Sequence, residues 1–195
     1  MSSVIDMRTY VSASSSRLLV MVDLQAANFD ELARDRASDL TRSLENSMSA
    51  IQHARSQGIP VAFTRQAGNR IERSAQSTWI AGFEPKRSDM VFEREQPSCY
   101  SNQLFEDVVS RIGSFAIAGL VAEEICLATA IDASHRGHKI TFLSDASVSR
   151  ARHNANSQAV HNLTTRAIEL FAETVSTRHW LVATSPRRSK GHRYG

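Results

Sequence analysis

A chain of 195 residues, 42% hydrophobic and 22% charged, has the composition of a globular protein with material for one domain and too little for two. No apolar run approaches the length of a membrane span. The serine-rich, polar start (Met1–Ser16) lacks the apolar stretch of a secretory signal, so a cytoplasmic protein with reduced thiols is expected. The net charge of +3 is local: setting aside Arg187, Arg188, Lys190 and Arg193 near the C-terminus leaves 19 basic residues against 20 acidic ones. With no zinc-finger spacing and no RNA-binding aromatic signature, specific nucleic-acid recognition is not expected. The expected organisation is a flexible arm over 1–16, one domain over 17–184 and a basic tail over 185–195.

The run 17–22 (RLLVMV) reads as a buried strand that ends at Asp23. A long helix follows over about Asp35 to Gln57, with Leu40, Leu44, Met48, Ile51 and Ala54 at helical spacing and Gly58 as its stop. Ile59 to Thr64 gives a second strand. Periodicity is then lost between Arg65 and Ser88, an extended loop with one helical turn expected near Trp79; loops of this length are commonly functional or subunit contacts.

Met90 to Glu93 reads as a short strand, Asn102 to Arg111 as a helix, and Ser114 to Gly119 as a buried strand leading into a helix over Glu123 to His135. His138 to Leu143 adds a strand ending at Ser144-Asp145-Ala146, Asn154 to Phe171 a helix, and Glu173 to Ser176 a last short strand. Alternating strands and helices without hairpin signals predict an α/β fold: a three-layer, doubly wound sheet of about six mainly parallel strands with helices on both faces. Ligands of such sheets bind at the carboxyl ends of the strands. Asp23, Thr64, Arg94, the Gly119–Cys126 turn and Asp145 all fall on that rim.

Cys126 stands in the first turn of its helix, where unpaired N–H groups and the helix dipole favour a thiolate and can hold an oxyanion. A cysteine placed there for packing is the alternative. Asp23 can act as a general base or as a cap, and Arg94 can supply fixed charge near a thiolate or pair locally with Glu93 or Glu95. His135, His138, His153 and His161 lack the spacing of a metal site, Cys99 and Cys126 lack close cysteine partners, and no glycine-rich phosphate loop is present. No metal and no cofactor are expected.

From Arg17 to Ser176 the chain resembles the isochorismatase-like cysteine hydrolase superfamily, which includes nicotinamidases and N-carbamoylsarcosine amidases. The resemblance is carried by Asp23-Leu-Gln25, Asp89-Met-Val-Phe-Glu-Arg94 and Pro97-Ser-Cys-Tyr-Ser-Asn102. Its most specific block is Gly119-Leu-Val-Ala-Glu-Glu-Ile-Cys126 with Thr129-Ala130, Asp132-Ala133 and Arg136-Gly137, followed by Ser144-Asp145-Ala146. The resemblance implies a catalytic Asp23, Arg94 and Cys126. Arginine replaces the family's lysine at the second position and, unlike lysine, does not give up its proton.

The resemblance further implies a cis peptide at Val121-Ala122 and an oxyanion hole from the Ala122 and Cys126 N–H groups. It disfavours a metal-dependent nicotinamidase, because Phe63 to Asn69 contains no histidine. Gln25, Phe29, Trp79 and Tyr100 are candidates to line a substrate pocket. The implied activity is hydrolysis of a small polar amide, carbamoyl or ureido compound through a thioester, in a homodimer or homotetramer. The alternatives are an altered member that binds a small molecule or partner without catalysis, and a hydrolase of a vinyl ether or ester.

Overall fold

The structure is a computed structural model that describes residues 18–35, 39–67 and 78–186. The expectations for the N-terminal arm, the end of the basic tail and the middle of the long loop lie outside the described residues.

The central strand β1 (Leu19–Val22) is buried along its whole length. It is flanked by β2 (Val61–Gln66) and β4 (Ser114–Leu120), with β3 (Met90–Arg94), β5 (Lys139–Val148) and β6 (Glu173–Val175) outside them. The sheet order is β3-β2-β1-β4-β5-β6, and every pairing is parallel. Strands covered on both faces need no polar alternation, which is why β1 and β4 appear in the sequence as continuous apolar runs. The expected doubly wound α/β sheet is the fold observed.

Helix α1 (Ala26–Arg34) and helix α2 (Leu40–Ser56) connect β1 to β2. The single long helix expected from Asp35 is thus preceded by a separate one, and α2 starts later than its spacing predicts. A helical turn (Cys99–Ser101) and α3 (Gln103–Ile112) precede β4; α4 (Ile125–His135), α5 (Ser157–Ile168) and α6 (Thr177–Thr184) complete the chain order. Helix α6 has no counterpart among the expected elements. Its eight residues bury only Thr177 and Trp180, with Leu181 half-buried against the core, too short a pattern for periodicity to register. Among the described residues no helix is long and apolar enough to cross a membrane.

Two features of the sheet position the site. First, β1 and β4 approach so closely that a Cβ on Gly119 would lie 2.2 Å from the Val22 carbonyl oxygen, and Gly119 has φ +135°. Only glycine fits there. Second, β5 is longer than expected: its register to β4 jumps from Ile117↔Phe142 to Gly119↔Ser147, so the strand bulges through Ser144-Asp145-Ala146.

That bulge is held from outside the sheet. Asn46 Nδ2 and Ser47 Oγ of α2 donate to the carbonyls of Asp145 and Ala146 at 2.8 and 2.9 Å. The Asp145 carboxylate accepts from both the N–H and the hydroxyl of Thr177, each at 2.6 Å, and so fixes the start of α6. Asp145, placed on the rim by sequence, is thereby engaged in structure.

Past the long loop the chain returns to β1. Trp79 forms an antiparallel bridge with Gln25, through Ala26 N–H to Thr78 O at 2.8 Å and Ile80 N–H to Leu24 O at 3.0 Å. This extended pairing replaces the helical turn expected near Trp79.

Candidate active site

The register of the sheet brings the rim residues together. Val22 pairs with Thr64 and with Gly119, so the residues that follow these strands share one end of the sheet. Asp23 leaves β1 in the left-handed region, φ 49°, a conformation aspartate tolerates better than most residues. Its side chain caps no helix. It is buried, its Oδ2 ion-paired with the Arg94 guanidinium and its Oδ1 accepting from the Thr64 hydroxyl at 3.4 Å.

Arg94, the last residue of β3, also donates from Nη1 to the Gln96 carbonyl at 3.0 Å, while its Nε–H is buried with no acceptor among the described residues. Arg94 therefore turns inward to Asp23 and not outward to Glu93 or Glu95. Burial raises the Asp23 pKa above the ordinary carboxylate value, opposed by the charge and hydrogen bond of Arg94. A carboxyl so placed is a stronger base than a solvated aspartate.

Cys126 is the second residue of α4 and has 0% of its surface exposed. Burial pushes its thiol well above the usual value, reinforced by Cys99, Glu123 and Asp23 and opposed by Arg94. The pKa depression expected from a helix N-terminus is overridden here, because removal from water outweighs a partial dipole charge. The thiol at rest is protonated.

The turn from β4 into α4 also differs from expectation. No cis peptide occurs among the described residues, so the Val121-Ala122 bond is trans, and the chain reverses instead through a left-handed Val121, φ 61°. A β-branched residue there is strained, and the surrounding bonds hold it: Glu124 and Ile125 N–H donate to Val121 O at 3.1 and 3.0 Å. This geometry sends the Ala122 N–H to Val148 O at 2.9 Å and away from a substrate oxygen. The expected role of Ala122 in an oxyanion hole is corrected accordingly. The Cys126 N–H has no acceptor among the described residues, as expected of a first helical turn.

Three of the four pocket candidates lie on or against the segment that follows Asp23. Gln25 is the N-cap of α1, Phe29 lies half-buried on that helix, and Trp79 bridges Gln25 and meets the Phe63 ring edge-on at 5.6 Å between centroids. Tyr100 does not join them. Its hydroxyl bonds His138 Nδ1 at 2.7 Å and its ring lies 4.5 Å from the Arg136 guanidinium, both beyond the far end of α4.

Its neighbour Cys99 faces the site instead. Cys99 is buried, its N–H donates to Thr129 Oγ1 one turn after Cys126 at 3.0 Å, and burial raises its thiol to about 11. Sequence reasoning missed the place of Cys99 and Thr129 in this contact. Cys99 lies within a motif already singled out, but nothing linear tells that the chain turns it, and not Tyr100, toward Asp23.

The family model for the isochorismatase domain matches residues 17–179. Comparison with curated proteins finds no match. Among solved structures, the chain is similar to a putative isochorismatase from Burkholderia xenovorans, with TM-score 0.76, 23% identity, and 87% of this chain and 88% of the other covered. An isochorismatase from Pseudomonas putida gives TM-score 0.75 at 20% identity over 87% and 93% of the two chains. A cysteine hydrolase from Pseudomonas syringae gives 0.74 at 17% over 90% and 94%. At these identities the structural likeness speaks for the fold.

Proposed function

The chain belongs to the isochorismatase-like cysteine hydrolase family, and from that premise we propose that it hydrolyses a small polar amide, carbamoyl or ureido compound through a Cys126 thioester. The observation that carries this reading is that Asp23 after β1, Arg94 at the end of β3 and Cys126 at the start of α4 are all buried, with an N–H on Cys126 that has no acceptor among the described residues.

Asp23 takes the Cys126 proton as the sulfur attacks the substrate carbonyl carbon. The Cys126 N–H stabilises the oxyanion, and Arg94 adds positive charge. The tetrahedral intermediate collapses as Asp23 returns the proton to the leaving nitrogen, which departs as ammonia or an amine. Water then attacks the thioester, giving its proton to Asp23, and the thiol is regenerated as the acid leaves. Arg94 stays protonated throughout, so Asp23 carries every proton transfer.

A panel of amides, carbamoyl compounds and ureas scored by ammonia or amine release tests the reading, with mass spectrometry for an acyl adduct on Cys126. Turnover that survives Cys126→Ala sinks the mechanism. Turnover of an ester or vinyl ether without nitrogen release moves the substrate class.

The second reading is a small-molecule binder of the same fold without catalysis. It is favoured by one observation: the carboxylate that must act as base is already neutralised by a permanently charged arginine. Ligand binding with no acyl adduct on Cys126 for any compound in the panel would support it.

A further inference from the structure

A second concavity lies toward the edge of the sheet, and neither Asp23 nor Arg94 nor Cys126 lines it. Strand β6 pairs with β5 only as far as Leu143, whereas β5 runs on to Val148. Helices α2 and α5 flank this further stretch and leave between them a cleft of about 620 Å³, large enough for a small metabolite. His161 of α5 forms part of the wall and has no free nitrogen: Nε2 bonds the Ser144 carbonyl at 3.0 Å and Nδ1 the Ser149 hydroxyl at 3.3 Å.

The cleft holds several donors that nothing engages. Helix α5 begins at it, and the Asn156 side chain caps the Ala159 N–H at 2.8 Å, but the N–H groups of Ser157 and Gln158 have no acceptor among the described residues. Ser157 is only 7% exposed, yet its hydroxyl has no partner among them, and neither has the buried hydroxyl of Thr165. Arg42 of α2 and Arg166 of α5 also line the cleft without an ion pair or hydrogen bond among the described residues. Of the three carboxylates on the wall, Asp145 is bonded to Thr177, and Asp39 and Glu169 are exposed, where water and salt screen them. Free N–H groups at a helix start, a hydroxyl beside them and a guanidinium from the facing helix are the partners a phosphate takes.

We infer that this cleft binds a sugar or polyol phosphate, with the phosphate held between the start of α5 and Arg42. The Ser157 and Gln158 N–H groups and the Ser157 hydroxyl donate to the phosphate oxygens, and Arg42 offsets its charge. The remaining wall suits a hydroxyl-rich body and not a flat base: Val148 is its one aliphatic side chain, and no Phe, Tyr or Trp lines it among the described residues. Asn162, Thr165 and Glu169 follow one another along α5 at helical spacing and offer both donors and acceptors to hydroxyls. The site goes beyond the hydrolase reading and does not rest on it.

Calorimetric titration of the full chain with glucose 6-phosphate, glucose, inorganic phosphate and AMP separates the outcomes. Glucose 6-phosphate is expected to bind at least about tenfold more tightly than each of the other three. Arg42→Gln, at an exposed position that the fold does not depend on, should weaken that binding by about tenfold, and Arg42→Lys should keep part of it. Ser157→Asp puts a charge that suits a helix start but repels phosphate, so it should abolish binding in a protein whose circular dichroism is unchanged. Inorganic phosphate or AMP binding as tightly as glucose 6-phosphate overturns the inference, and so does an affinity that Arg42→Gln leaves unaltered. No binding of glucose 6-phosphate up to about 10 mM overturns it as well.

Discussion

Arg94 and Asp23 pair across an intervening strand: Arg94 ends β3, Asp23 follows β1, and between them Thr64 of β2 donates to the same carboxylate. Both side chains of the pair are only 5% exposed. A buried pair contributes little net stability relative to apolar residues, but loss of one partner strands a charge. Arg94→Met should therefore lower the unfolding free energy by about 3 to 5 kcal/mol in urea titration. Asp23→Asn/Arg94→Met, which removes both charges, should recover much of that loss. If the single and double variants are equally unstable, the pair is not what holds these two strand ends.

Native thiol chemistry should be slow. Cys99 and Cys126 are both buried and protonated at neutral pH, so iodoacetamide at pH 8 should label neither at the rate of a free thiol, and denaturant should release both. Fast native labelling of Cys126 would show that the site opens readily in solution.

Alkaline pH should destabilise the fold in a defined window. Cys99 has an ordinary value of 9.0 and titrates near 11 when folded, so between these values the folded state binds more protons than the unfolded state. Stability then falls as pH rises from 9 toward 11, at a slope of up to about 1.4 kcal/mol for each pH unit crossed. Denaturation midpoints measured across this range should fall less steeply for Cys99→Ala than for the unaltered protein.

Gly119→Ala meets two obstacles, a left-handed backbone and the Val22 carbonyl at 2.2 Å. Neither can move without parting β1 from β4. The variant should lose more than about 3 kcal/mol or fail to accumulate in folded form, measured by circular dichroism and thermal melting.

Asp145→Ala should loosen α6 without touching the thiol. Two hydrogen bonds to Thr177 disappear, costing about 1 to 3 kcal/mol, and hydrogen exchange should accelerate through Thr177 to Thr184. Activity on a substrate found by the panel should persist. A selective loss of turnover in a stably folded variant would assign Asp145 to the chemistry after all.

The fold was legible because its strands are buried on both faces: 19–22 and 115–120 are unbroken apolar runs, and a parallel sheet is the arrangement that needs them. Asp23, Arg94 and Cys126 were legible through their motifs and strand-end positions. What escaped was direction. Cys99 and Tyr100 are adjacent in sequence, and only the turn at Cys99–Ser101 decides which one faces Asp23. Likewise, linear position cannot tell that Val121 takes φ 61° across a trans bond and spends the Ala122 N–H on β5. Burial was the other blind spot. A helix start favours a thiolate in the sequence, but at 0% exposure desolvation of Cys126 prevails.

The strap that returns from the long loop to β1 is fastened by two peptide hydrogen bonds, Ala26 to Thr78 and Ile80 to Leu24, and by the Trp79 ring against Phe63. The peptide part of that fastening does not read side chains. Heritable change in the intervening sequence can accumulate without untying it, and only proline at 26 or 80 would remove a donor. The chain thus carries a socket into which foreign loops can be grafted between fixed ends. New substrate preferences can be sought there by exchanging cassettes, with the sheet and its buried ion pair left as inherited.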